Sequence, residues 1–188
     1  MGGDYPIRLQ SMTSTDTRDV KATLEQVLRI IRAGADLVRI STPTLKDVEA
    51  FAEIKKQLRD KGYNTPLIAD IHFNPKVAEA AAKVAEKIRI NPGNYSDRGY
   101  NEQEPNAYKN ELEKIHERIR PLLHICKEYG TVIRVGSNSG SLSQRILSRY
   151  GNTPRGMVES ALEFVDICEQ EGFYLISKFE LLGVIEVI

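Results

Sequence analysis

Arginine flanked by two aliphatic residues recurs in this sequence inside segments that have the pattern of short β-strands. The triplets are Ile7-Arg8-Leu9, Val38-Arg39-Ile40, Ile88-Arg89-Ile90 and Ile133-Arg134-Val135. Side chains alternate between the two faces of a strand, so each arginine points away from its aliphatic neighbours. Any fold of this chain must therefore accommodate several arginine side chains on one face of its sheet.

Strand and helix patterns alternate along the whole chain. Apolar spacing predicts strands over residues 6–12, 36–41, 66–73, 87–91, 131–138 and 173–177. It predicts helices over residues 19–35, 45–62, 75–85, 108–130 and 154–172, the fourth being bent or interrupted near Pro121. Gly34 and Gly62 end the first two helices. This alternation is typical of a parallel sheet, either in an open doubly wound fold or in a (β/α) TIM-type barrel.

The arginines favour the barrel. Helices cover both faces of an open sheet, and an unpaired guanidinium buried against them is costly. In a barrel, one face of each strand meets the helices and the other faces the interior. No GxGxxG follows the first strand, where the chain reads "QSMTSTDTRD". We therefore expect converging arginines that bind a strongly anionic small molecule, a phosphate or diphosphate ester. The alternative is that each arginine pairs with an interior carboxylate such as Asp70.

Further polar residues follow the strands at the end where barrel enzymes carry their sites. Asp70 and His72 follow the third strand in the same phase, and they suit an orienting carboxylate and a proton-transferring or hydrogen-bonding imidazole. The polar loop over residues 91–106 is long enough to be a lid or a binding loop. Ser141 and Gln144 have the spacing of a capping box, which would open a helix with its N-terminus towards a phosphate.

Composition argues against several classes of protein. Lysine plus arginine equals aspartate plus glutamate at 26 each, so the basic excess of a nucleic-acid-binding protein is missing. No apolar run approaches the roughly 18 residues of a membrane span, and the first residues lack the layout of a signal peptide, so a cytoplasmic location is expected. Cys126 and Cys168 lie in helical patterns and suit packing as small hydrophobes. Two cysteines also fall short of the usual ligand set of an iron–sulfur cluster.

Four motifs in order, "QSMTSTDTRD", "IADIHF", "KIRINPGN" and "IRVGSNSGSL", resemble the 4-hydroxy-3-methylbut-2-enyl diphosphate synthases of the non-mevalonate pathway of isoprenoid (terpenoid) biosynthesis. The resemblance covers about residues 5–178. It implies a barrel that binds 2-C-methyl-D-erythritol 2,4-cyclodiphosphate, and an oxidoreductase reaction that opens this ring reductively. It also implies a ferredoxin- or flavodoxin-type electron donor, a homodimer, and a 4Fe-4S cluster held by three cysteines and a glutamate in a separate C-terminal domain.

Carried over residue by residue, the resemblance assigns substrate binding to Arg39, Arg89, Arg134, Asn138, Ser141 and Lys178. It assigns the catalytic positions after the third strand to Asp70 and His72. Arg8 departs from the family, which commonly has a small residue at that position. Lys178 matches a Ser-x-Lys segment imperfectly, since Ser177 directly precedes it.

Residues 1–188 are therefore expected to be the N-terminal part of a TIM-barrel domain, with about six of its eight units. The iron–sulfur domain and its ligands are expected to be absent, and the chain alone to be inactive. Its end, "FELLGVIEVI", is predicted to form an irregular terminus or an antiparallel hairpin through residues 178–180. Two alternatives remain open, a dihydropteroate-synthase-like barrel enzyme with another phosphorylated substrate and a non-catalytic anion-binding module.

Overall fold

A single parallel sheet organises the chain. The computed structural model describes residues 7–72, 74–95, 100–174 and, for the backbone alone, 176–182. Its strands are β1 (Gln10–Met12), β2 (Leu37–Ser41), β3 (Leu67–Asp70), β4 (Lys87–Ile90), β5 (Val132–Asn138) and β6 (Ile176–Leu182). They pair in the order of the chain, β1-β2-β3-β4-β5-β6, and every neighbouring pair is parallel. Sequential order is that of a barrel, since a doubly wound sheet reverses direction part-way.

At least one helix connects each strand to the next. The helices are α1 (Val20–Arg32), α2 (Leu45–Asp60), α3 (Pro75–Ala82), α4 (Ala107–Tyr129), α5 (Gln144–Tyr150) and α6 (Pro154–Gln170). Thr44 and Asp47 form a capping box at the start of α2, and Pro75 occupies the first turn of α3. Within the described part of the chain, no helix combines the length and apolarity that a bilayer span requires.

The sheet is strongly curled. The Arg134 Nη1 on β5 donates a hydrogen bond of 2.7 Å to Oε1 of Gln10 on β1. Four strand spacings separate these strands, which in a flat sheet would place them about 19 Å apart. Two side chains cannot meet across that distance unless the sheet bends round towards its own first strand. Gln10 and Arg134 therefore define the inner face of an incomplete barrel, as the arginine pattern predicts.

The apolar core lies between the outer face of this sheet and the helices. The aliphatic neighbours of the strand arginines, Val38, Ile40, Ile88 and Ile133 among them, have no exposed surface and belong to one cluster with the apolar faces of the helices. Phe51 of α2 is fully buried in the same cluster. The period-two alternation thus separates an outer apolar layer from an inner polar one.

The first predicted strand is partly wrong. β1 begins only at Gln10, and Arg8 lies before it with its Nη1 3.1 Å from Oδ1 of the exposed Asp36. The chain is held there by the Leu9 N–H, which donates to Oδ2 of Asp36. Because Arg8 precedes the ladder, the alternation of β1 does not govern its side chain, which stays half exposed outside the barrel.

Three other predictions about secondary structure need correction. The helix α4 is not interrupted at Pro121, because Ile119, Leu122 and Leu123 beside it are buried and packing holds the helix across the missing hydrogen bond. β6 starts later than residue 173, since Phe173 still closes the turn after α6 by donating from its N–H to the Cys168 carbonyl. Residues 178–180 run inside β6, parallel to β5, and form no hairpin. Residues 183–188 lie outside the described part of the chain.

Glu86, just before β4, links α2 to the start of β3. Its Oε1 lies 2.8 Å from Lys55 Nζ and 2.7 Å from Arg59 Nη2, both on α2. Its Oε2 accepts a hydrogen bond of 3.0 Å from the Leu67 N–H at the start of β3. Burial alone would raise the pKa of Glu86, but the contacts with Lys55, Leu67 and Arg59 outweigh it and hold this pKa below 4.5.

We predict that Glu86→Gln destabilises the protein at neutral pH and not in acid. A carboxyl whose pKa is lowered by folding adds stability above its unfolded pKa, and this stability is lost as the pH falls through the folded value. The loss at pH 7 should be about 1 kcal/mol, because Glu86 is only half buried and its ion pairs are partly screened. Urea unfolding of both proteins at pH 7 and below pH 4.5 measures the difference.

The exposed Glu113, which pairs with Lys109 one turn away at 3.8 Å, provides the control for that experiment. Glu113→Gln should change the free energy of unfolding far less than Glu86→Gln at neutral pH. A Glu86→Gln deficit that stays constant from neutral to acidic pH would contradict the assigned ion pairs.

Candidate functional site

Three of the four strand arginines lie on the inner face of the sheet, around one carboxylate. Asp70, at the end of β3, is buried, with its Oδ2 2.9 Å from Arg39 Nη2 and its Oδ1 3.5 Å from Arg89 Nη1. Arg134, next to Arg89 in the register of β4 and β5, contacts Gln10. Arg39 lies two strands away from Arg89, because β3, which carries Asp70, runs between β2 and β4.

The expected alternative, pairing of the arginines with Asp70, holds for two of them. Arg39 and Arg89 both share this carboxylate. Lys87 is also buried, and the alternation of β4 places it on the same face as Arg89. Among the side chains that the structure describes on β1 to β5, the inner face therefore carries four basic residues, and the Asp70 carboxylate contacts two of them, Arg39 and Arg89. Basic side chains are thus concentrated on this surface.

His72 extends the cluster towards the carboxyl ends of the strands. Its Nε2 lies 3.2 Å from Oδ2 of Asp70, the same oxygen that Arg39 contacts. About a third of the His72 side chain is exposed, whereas Asp70 is almost completely enclosed. Asp70 thereby orients the His72 ring, whose exposed part a ligand in the barrel mouth can reach.

Two loops meet beside the arginines. The Asn91 amide, just after β4, donates from Nδ2 to Oγ of Ser141 at 2.6 Å. Ser141 Oγ lies 3.3 Å from the Asn138 carbonyl, and Asn138 Oδ1 accepts from the Gly140 N–H. A side chain at Gly93 would collide with the Ser141 carbonyl, so glycine is what lets the two loops touch. Asn138 and Ser141 are thereby fixed at the mouth, next to the ends of β4 and β5.

The predicted capping box is wrong. Ser141 closes a short 3-10 turn over Ser139–Ser141, and the N-cap of α5 is Ser143, whose Oγ accepts from the Ile146 N–H at 3.3 Å. Gln144 is the first residue of α5 and lies too early for the reciprocal contact. The hydroxyl of Ser141 is used between the loops instead. The segment therefore contributes side chains to the mouth, and the helix that follows it begins at Gln144 with Ser143 as its N-cap.

Lys178 lies in β6, but its side chain is outside the described part of the structure, and so is that of Ser177. The polar loop after β4 is described only in part. It begins with a 3-10 turn over Pro92–Tyr95, and the buried Tyr95 ring packs edge-on against Phe164 at 5.4 Å between centroids. The predicted role of residues 91–106 as a lid stays a prediction.

Residues 15–18, within the motif "TSTDTRD", line a cavity of about 300 Å³ after β1 and β2. Ser41, which lies beside Asp70 in the register of β2 and β3, also borders this cavity. Thr17 Oγ1 donates to the Ser41 carbonyl at 2.6 Å and fixes the loop against β2. The cavity therefore lies at the end of β2, next to the strand that carries Asp70.

The cysteines do not suit a metal cluster. Cys126 and Cys168 are fully buried in the apolar core, and burial raises the pKa of each thiol to about 12. A cluster ligand must be a thiolate, whereas these groups stay protonated at neutral pH. Across residues 7–72, 74–95 and 100–174, no group of three or more His, Cys, Asp or Glu side chains is arranged to bind a metal ion.

Sequence reasoning missed three contributors to this site. Gln10 shares the phase of the misjudged Arg8 and reaches Arg134. Asn91 ends the fourth strand motif and joins the loops. Gly136 lies against the Arg89 guanidinium. The alternation of side chains along β1 could have indicated that Gln10 points inwards. The contacts of Asn91 and Gly136, in contrast, depend on how β4 and β5 are placed side by side.

Comparison with known proteins agrees with this architecture. The model of the GcpE TIM-barrel domain family matches residues 1–179. The chain is 52% identical over 177 residues to a Parabacteroides distasonis protein named 4-hydroxy-3-methylbut-2-en-1-yl diphosphate synthase (flavodoxin), and covers 29% of it. It is 51% identical to a rice (Oryza sativa subsp. japonica) protein named 4-hydroxy-3-methylbut-2-en-1-yl diphosphate synthase (ferredoxin), chloroplastic, and covers 24% of it. These matches take in 92% and 93% of this chain, which therefore spans less than a third of either relative.

Solved structures with a similar course of the chain include a D-tagatose 3-epimerase-like protein and the dihydropteroate synthase of Xanthomonas albilineans. Their sequence identities are 12% and 16%, and their TM-scores are 0.46 and 0.39. Both alignments cover 95% of this chain. They cover 92% of the epimerase-like protein and 87% of the dihydropteroate synthase. At such scores no functional conclusion follows. The family model, by contrast, takes in nearly the whole sequence, so the chain belongs to the GcpE TIM-barrel domain family.

Proposed function

We propose that this chain is the substrate-binding barrel part of a 4-hydroxy-3-methylbut-2-enyl diphosphate synthase. Its ligand is 2-C-methyl-D-erythritol 2,4-cyclodiphosphate, and the parent enzyme opens the ring reductively in isoprenoid biosynthesis. The observation that carries the proposal is the grouping of Arg39, Arg89 and Arg134 on the inner face of the sheet beside Asp70, which suits a ligand with two linked phosphates. The names of the curated relatives support the same activity.

The arginines bind the phosphates in this proposal. Arg39 and Arg89 approach the ligand from either side of Asp70, and Arg134 approaches from β5. A guanidinium donates two parallel hydrogen bonds to a phosphate, so this set can fix the orientation of both phosphates. Asn138 and Ser141 supply amide and hydroxyl groups at the mouth, and Lys178 of β6 adds a further cation.

Asp70 and His72 serve the chemistry of the ring. Asp70 holds Arg39 and Arg89 in place and orients the His72 ring through its contact with Nε2, and the oriented imidazole exchanges a proton with a substrate oxygen. Ring opening expels water and consumes electrons. In the family a 4Fe-4S cluster would supply the electrons, and Cys126 and Cys168 of this chain do not fit its ligand set. We therefore propose that residues 1–188 are the N-terminal part of the barrel domain and that a further domain of the parent enzyme carries the ligands of the cluster.

The relatives' names indicate the class of electron donor. They specify flavodoxin for the bacterial proteins and ferredoxin for the rice protein. We propose a donor of one of these two classes for the full-length parent, and a homodimer in which the cluster domain of one subunit covers the barrel of the other. The expected cytoplasmic location stays a prediction, and the rice relative's name assigns that protein to the chloroplast.

Binding of the cyclic diphosphate is expected to depend on Arg89. Arg89→Ala should weaken binding by at least about tenfold, because a charge-assisted phosphate contact is lost in a partly enclosed site. Isothermal titration calorimetry with the wild type and the variant measures the change. Arg8→Ala is the matched control, since Arg8 has the same sequence environment and lies outside the barrel. Equal losses in the two variants, or none in either, would remove the inner arginines from the binding site.

Removal of the Asp70 charge is expected to lower the stability of the protein and to increase its stabilisation by an added anion. Asp70→Asn leaves Arg39 and Arg89 without their shared carboxylate, and stability should fall by on the order of 3 kcal/mol. Inorganic diphosphate should then raise the melting temperature of the variant more than that of the wild type, because it replaces the lost charge. Thermal unfolding followed by circular dichroism, with and without diphosphate, tests both effects.

Asp36→Asn provides the comparison for that measurement. Asp36 pairs with Arg8 on the exposed outside of the barrel, so its loss should reduce stability much less and should create no response to diphosphate. An Asp70→Asn protein that diphosphate stabilises no more than the wild type would argue against an anion site between Arg39 and Arg89.

A further inference from the structure

Gly136 occupies the middle of β5, two residues after Arg134. Its φ lies outside the positive range that only glycine adopts readily, so an alanine has access to this backbone conformation. The pairing of β5 with β6 shifts register between Arg134 and Gly136, an irregularity at which glycine is common. A further reason for glycine lies in the space around its Cα.

That space is occupied by the Arg89 guanidinium. A Cβ atom built on Gly136 would lie 2.8 Å from Nη2 and 2.9 Å from Cζ of Arg89, and closer still to Nε. Such separations are well below the normal contact distance of about 3.5 Å between non-bonded heavy atoms. Glycine at this position is thus what allows the flat guanidinium to lie against the backbone of β5.

The guanidinium is confined on its other side as well. Its Nη1 lies 3.5 Å from Oδ1 of Asp70 on β3, and its Nη2 donates towards the Gly136 carbonyl at 3.4 Å. The Arg89 side chain is only 7% exposed. Asp70 and Gly136 therefore enclose the group from two neighbouring strands and leave it little freedom to move sideways.

We propose that Gly136 is a positioning residue for the anion site, because the absence of a side chain fixes where the Arg89 guanidinium faces the ligand. The inference rests on the proposed function and adds a residue to it. A methyl group at position 136 would displace the guanidinium from β5 and change its distances to Asp70 and to a bound phosphate. Since Arg binds phosphate through a rigid planar fork, a displacement of about 1 Å is expected to cost much of its contribution.

A double-mutant cycle separates this role from a general effect on the strand. The variants are Gly136→Ala, Arg89→Lys and the combination of both. Lysine keeps the positive charge but lacks the planar group that a methyl at position 136 would strike. Affinity for inorganic diphosphate is measured by calorimetry, and stability by thermal unfolding. Ser137→Ala is the control, because Ser137 is the next residue of β5, is buried, and has an Oγ with no hydrogen-bond partner within the described structure.

Gly136→Ala is expected to weaken diphosphate binding about tenfold or more with Arg89 present, and by less than about twofold in the Arg89→Lys background. The melting temperature should show the same coupling, and Ser137→Ala should change neither quantity. A Gly136→Ala protein that fails to fold, together with a double variant that folds, would support the same steric conflict.

Equal effects of Gly136→Ala in both backgrounds would overturn the inference, and so would a failure to fold in both. Unchanged affinity and stability in the Gly136→Ala protein would overturn it as well. Absence of diphosphate binding by the wild type is a separate result. It would contradict the proposed function, while coupled melting temperatures would still support the contact between Gly136 and Arg89.

Discussion

The ion pairs of Asp70 are the interaction on which the inner face of this barrel depends. Buried guanidinium groups are tolerated only where their charge is balanced, and Asp70 is the one carboxylate among the described interior side chains of β1 to β5 that contacts both Arg39 and Arg89. Its oxygens also reach His72. Because one carboxylate contacts two guanidinium groups and the imidazole, it holds the polar side chains of the inner face together.

The placement of this cluster follows from alternation along parallel strands. Residues such as Val38 and Ile88 anchor the outer face to the helices, and the same strands therefore direct Arg39 and Arg89 inwards. The curvature of the sheet brings the inner sides of distant strands together, as the contact between Gln10 on β1 and Arg134 on β5 demonstrates. The inner site and the outer core are thus two results of one pattern, and a shift of one residue in the register of a strand would lose both.

Much of this arrangement could be predicted from the sequence. The strands around Arg39, Arg89 and Arg134 were recognisable because each arginine stands between aliphatic residues in a segment followed by a turn. Arg8 was misjudged for a physical reason, since a triplet pattern does not reveal whether backbone pairing has already begun. The contacts between Asn91 and Ser141, and between Gly136 and Arg89, depend on distances between strands that no local pattern encodes.

Phosphorus-31 NMR can show whether the interior cations bind both phosphates of the cyclic diphosphate. Titration of the ligand with the wild-type chain should shift or broaden both phosphorus resonances, because Arg39, Arg89 and Arg134 approach the ligand from different strands. The changes should saturate with a single affinity and reverse on addition of excess inorganic diphosphate. Two resonances that stay at their free positions and widths up to millimolar protein would contradict the account.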